Sequence, residues 1–197
     1  MATLQSNASQ SSVKSTDSGS SIDSFIDRLN VIASDDFVAW CQTLKMDNGK
    51  SLFDERKELS HNTKKRSSSD GGITPWTNDM EQDYDAYKQE SKKIAIKKKE
   101  LGKAQSAVDD YKDMGGTDPK ILRPLLQKSL KKAQEWCDAG VEGYQKRIAF
   151  MVKFENIFNK ASTRGHIEQA ENNLLSAKAA WNEAQELQKD IDKVLSV

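Results

Sequence analysis

The sequence predicts an all-α protein: a long antiparallel helical hairpin and a C-terminal heptad helix forming a three-helix bundle or coiled coil. A small helical segment and a disordered N-terminal tail precede it. Three observations carry this prediction. From Ile167 to Leu195 small and apolar residues recur at alternating steps of three and four, which keeps one stripe on one side of a helix. Gly115-Gly116 and Asp118-Pro119 stand together between two long helical patterns, as a helix stop followed by a helix start should. Only three prolines occur in 197 residues, so the helices between breakers are long.

Residues 1–20 are Ser, Thr, Asn and Gln with almost nothing to bury, and they read as a disordered tail. Residues 21–60 read as a small helical segment. Ile22, Phe25, Ile26, Leu29 and Ile32 fall at helical spacing, and Ser34 is placed to cap a second helix carrying Phe37, Val38, Cys41 and Leu44. Asp47-Asn48-Gly49 is a turn, and Ser51 to Asp54 has the shape of a capping box opening a polar helix to about residue 60. So small a unit buries too little to fold alone, so it is expected to dock on the rest. Residues 61–76 read as a linker containing His61 and the basic Lys64-Lys65-Arg66 cluster.

The bundle is assigned to residues 77–197, with helices over 77–114, 119–160 and 164–196. Thr77 or Asn78 caps the first, with Trp76 as a staple, and its seam runs through Met80, Tyr84, Tyr87, Ile94, Leu101, Val108 and Tyr111. The second carries Leu122, Leu125, Leu126, Ala133, Trp136, Cys137, Ile148, Met151, Phe154 and Phe158, and at 1.5 Å per residue spans roughly 60 Å. The tight connection makes the pair antiparallel. Val108 is then expected near Leu126, Leu101 near Ala133, and Tyr87 near Ile148. Gly102 and Gly140 fall mid-helix, where they mark close backbone approach or a bend. Ser162, Thr163 and Gly165 are the expected turn into the terminal helix; without a turn, that helix would present its seam to another molecule.

The terminal seam is the candidate interaction surface: Ile167, Ala170, Leu174, Ala177, Trp181, Ala184, Gln188, Ile191 and Leu195. Ala170, Ala177 and Ala184 let a partner helix come close. Gln188, alone among apolar positions, is suited to setting register.

Composition narrows the function classes. Thirty basic residues balance thirty acidic ones, so no global field draws the chain to nucleic acid or an anionic membrane. The most basic stretch, Lys92-Lys93 and Lys97-Lys98-Lys99, spreads around a helix instead of forming the focused face that nucleic acid requires. No run approaches the roughly 20 apolar residues of a membrane span, and the N-terminus lacks the charged-then-apolar order of a secretory signal. Cys41 and Cys137 read as buried free thiols, and two His with two Cys at no close spacing offer no zinc site.

No nucleophile elbow, phosphate loop or paired metal-ligand motif appears, so no catalytic residue, metal or cofactor is expected. The expectation is a non-enzymatic assembly or interaction protein, working through helix-to-helix contacts with a protein partner or with its own copies. A Ser/Thr-rich unfolded N-terminus ahead of a helical hairpin is similar in outline to the tip and filament subunits of type III secretion, which implies an exported structural subunit or effector. The alternatives are an intracellular or viral scaffold with a phospho-regulated tail, and a nucleic-acid-binding protein using Lys92–Lys99.

Overall fold

A computed structural model describes residue 25 and residues 35–65, 77–155, 157–158 and 160–195. Five helices follow in order: α1 (Asp35–Thr43), α2 (Leu52–Lys65), α3 (Asn78–Asp113), α4 (Pro119–Lys153) and α5 (Lys160–Leu195). The tail over 1–20, the helix over 22–32 apart from Phe25, the Ser34 cap and the Trp76 staple lie outside the described residues.

The hairpin forms as its sequence dictates. Thr77 caps α3 by accepting from the Met80 amide at 3.3 Å. At the other end Gly115 takes φ 78°, its amide donates to Lys112 O at 2.9 Å, and the Gly116 amide reaches Tyr111 O at 2.9 Å. These paired bonds satisfy carbonyls that a helix end leaves open and reverse the chain. Asp118 then accepts from the Lys120 amide at 2.9 Å, and Pro119 occupies the first helical position.

The antiparallel register matches the expected pairs. Lys153 meets Asp83 at 2.6 Å, Lys146 meets Glu90 at 2.6 Å, Lys93 meets Glu142 at 2.6 Å, and Lys97 meets Glu135 at 2.9 Å. One partner's number rises as the other's falls. Each such partly exposed pair is worth well under about 1 kcal/mol; the buried Tyr87, Ile94, Leu101, Val108, Leu126, Ala133 and Ile148 supply most of the cohesion.

α4 is the middle helix. α3 packs along one side of it and α5 along the other, while α3 and α5 barely touch. The turn into α5 exists, but it lies earlier than the sequence suggests. α4 ends at Lys153 and α5 starts at Lys160, so the turn falls between them and Ser162, Thr163 and Gly165 are helical. Phe154 and Phe158 stack against Phe150 at 5.2 and 5.5 Å. Packing of these rings sets the turn, overriding the local signal of a serine, a threonine and a glycine that a helix tolerates.

The N-terminal segment docks on α4 and α5, as its size requires. The Tyr144 hydroxyl donates to Leu52 O at 3.3 Å and the Gln145 amide to Lys45 O at 3.1 Å. Trp181 of α5 stacks on Trp40 at 4.8 Å and meets the edge of Phe37 at 5.8 Å. Ser51 caps α2 through the Asp54 amide at 3.1 Å, while the shorter Asp54 takes the Ser51 hydroxyl at 2.6 Å. α2 runs five residues beyond its expected end and includes His61, which the sequence suggested lay in a linker. No glycine or proline interrupts residues 50–70, so the polar stretch had no breaker to stop it.

Candidate functional site

The seam of α5 is mostly covered from within the chain. Ile167, Ala170, Leu174, Ala177 and Ile191 are buried, and Trp181 and Ala184 are half-buried. A β-carbon built on Gly140 of α4 would lie 2.7 Å from Ala177 Cβ, so the two backbones approach as closely as small residues allow. Two seam assignments are corrected. Gln188 is exposed and bonds Asp192 at 2.8 Å, and Leu195 is 54% exposed. Beyond Ala177 the buried stripe steps to Ala180, Leu187 and Ile191. Trp181 is turned toward the N-terminal segment, so α5 divides its faces between two neighbours and the stripe shifts by one residue.

Charged residues that the apolar pattern hides lie beneath the N-terminal segment. Arg56 Nε and Nη2 donate to the same oxygen of Glu171 at 2.8 and 2.6 Å, with both side chains no more than 3% exposed. Lys178 is buried beside them with its ammonium 5.8 Å from the Phe37 ring centre. The signal was present in the sequence: Arg56 shares the Leu52–Leu59 face, and Glu171 and Lys178 flank Leu174 at helical spacing. Cys41 and Cys137 are free and buried, and burial pushes both thiols up to about 12.

A second cluster sits where α3 begins and α4 turns into α5. Arg147 is buried, its guanidinium carbon 4.2 Å over the Tyr87 ring. Around it His166 lies 5.9 Å from Tyr87, 5.8 Å from Phe150 and 5.4 Å from Phe158, centre to centre. Burial lowers the His166 pKa below its ordinary value, and the Arg147 charge lowers it further. Burial also lowers Arg147, with Tyr87 and Tyr84 opposing.

The opposite end carries exposed apolar side chains among charged ones. Met114 is 80% exposed in the hairpin turn and Ile121 48% exposed in the first turns of α4. Leu195, at the end of the antiparallel α5, is exposed at this same end. Leu195 continues the spacing of the seam, whereas Met114 and Ile121 belong to no apolar pattern in the sequence.

Part of the lysine stretch is tied to the hairpin, while Lys92, Lys98 and Lys99 are exposed. Lys93 and Lys97 pair with acids of α4, and Lys98 lies 5.4 Å from the Trp136 ring centre. Among the described residues no helix is long and apolar enough to cross a membrane, and no cluster of metal-ligating side chains occurs. No protein-family model matches the chain, and neither a curated protein nor a solved structure matches it.

Proposed function

We propose that this is a non-enzymatic helical assembly protein whose contacts with other protein chains are made at the hairpin tip. The observation that carries the reading is that exposed Met114, Ile121 and Leu195 lie toward one end of a bundle whose own seam is largely buried, with Ile96 also exposed midway along α3. Clustered exposed apolar side chains favour an interface more than scattered ones do. A helical rod bearing an adhesive end suits serial assembly. The Ser/Thr-rich first twenty residues support an exported setting.

Light scattering across concentration, with a Met114→Glu, Ile121→Glu double variant, tests the reading. The expected result is a mass that rises with concentration in the native chain and stays monomeric in the variant, at unchanged helicity. A native chain monomeric at every concentration argues against self-assembly. A reporter fused to residues 1–20 tests the setting separately: no export from a secretion-competent bacterium removes it.

A further inference from the structure

We propose that Arg147 and His166 form a binding site for a small carboxylate carried on an aromatic or apolar body, at the end of the bundle remote from the hairpin tip. Arg147 is 6% exposed, and its Nε and Nη1 have no hydrogen-bond partner. A buried charged donor left unsatisfied is costly, and a guanidinium makes charge-assisted bonds to carboxylate oxygens; Nε and Nη1 lie on different edges of the group, so a carboxylate bonds one of them together with the adjoining Nη2. His166 Nδ1 is likewise buried without a partner. The ring of Tyr87 packs against both residues, and those of Phe150 and Phe158 pack against His166, so the rest of the ligand meets aromatic groups.

Among the described residues, three acids on the neighbouring helices are already paired. Asp83 holds Lys153, Glu90 holds Lys146 and Lys93, and on α5 itself Glu168 holds Arg164. The groups facing His166 are Arg147 and Phe150 from α4, Tyr87 from α3 and Phe158 from the connection. All are cationic or neutral. A carboxylate entering here supplies the missing negative charge to both residues at once. The imidazole then takes a second ring proton from the buffer, and binding tightens as pH falls toward the ordinary His range near 6.5.

The test titrates the full chain, labelled with 15N, with phenylacetate and, in parallel, with the isosteric neutral phenylacetamide, following the Arg147 Nε–Hε resonance. Phenylacetate is expected to shift that resonance saturably, and phenylacetamide to leave it in place. Affinity should be at least about threefold higher near pH 6 than near pH 7.5, where the ligand stays ionised throughout. His166→Phe should abolish that pH dependence while retaining carboxylate binding, and Arg147→Met should abolish binding. Absence of a saturable shift, equal binding of the amide, or binding retained in folded Arg147→Met overturns the proposal. Should Arg147→Met fail to fold, the acid-against-amide comparison in the native chain decides alone.

Discussion

Gly140 and Ala177 mark a close approach of α4 and α5: a methyl group on Gly140 would lie 2.7 Å from Ala177 Cβ and 2.8 Å from Asn173 O. Gly102 on α3, also mid-helix, has nothing within 4 Å of the same added atom. Glycine to alanine ordinarily stabilises a helix by about 0.5–1 kcal/mol. Gly102→Ala is therefore expected to raise the melting temperature. Gly140→Ala is expected to lower it, at a cost of about 1–3 kcal/mol from overpacking. Thermal unfolding by circular dichroism separates the two, and equal shifts would contradict the tight contact.

The Arg56–Glu171 pair ties the N-terminal segment to α5. Removing Glu171 takes a buried carboxylate from Arg56, so Glu171→Ala is expected to cost about 3–5 kcal/mol. Replacing both with apolar residues, Arg56→Met with Glu171→Leu, removes both buried charges and is expected to recover most of that loss. Denaturant melts of the three chains measure it. A single variant as stable as the native chain would show the pair to be solvated.

Burial holds both thiols well above their ordinary range, at about 12, and the thiolate is the reactive form. At neutral pH neither Cys41 nor Cys137 is expected to react with a disulfide reagent until the chain unfolds, and both then react together. Rapid labelling of the folded protein would contradict the docking of α1, since Cys41 is covered there.

Glu135 bridges Lys97 and Lys132, and hydrogen bonds from these lysines hold its carboxyl down at about 2. Glu100 is lowered in the same network, first by Lys132 and then by Lys97. A depressed carboxyl contributes its stabilisation above its unfolded value near 4.5, and loses it as pH falls toward 2. Native stability is therefore expected to drop across that window. Glu135→Gln should flatten the drop, and high salt should shrink it. Acid titrations followed by helicity provide the check.

Much of the fold was legible because its punctuation is local. Thr77, Gly115-Gly116 and Asp118-Pro119 each act within a few residues of themselves, and the register of α3 against α4 follows from the short turn between them. The α4–α5 turn was misplaced because it depends on Phe150, Phe154 and Phe158 meeting one another, a tertiary event with no turn residue to announce it. The seam residues of α5 are buried as far as Ala177 and again at Ile191, but Gln188 and Leu195 are exposed, and Trp181 answers to Trp40 and Phe37 on a segment distant in sequence. Arg147 with His166 was not seen at all. Arg147 sits between Tyr144 and Met151 on an apolar face, a pattern visible in hindsight, but its place beside His166 requires two helices and a turn to be positioned first.

The most direct test of the account is the distance between spin labels at Lys128→Cys and Lys189→Cys, exposed positions on α4 and α5 that lie opposite each other in the register set by Gly140 and Ala177. With α5 folded back along α4 of its own chain, the labels are expected within about 25 Å, helix spacing plus linkers, at every dilution with unlabelled protein. A separation of roughly 90 Å, as for one continuous helix, or a short distance that vanishes on dilution, would contradict it.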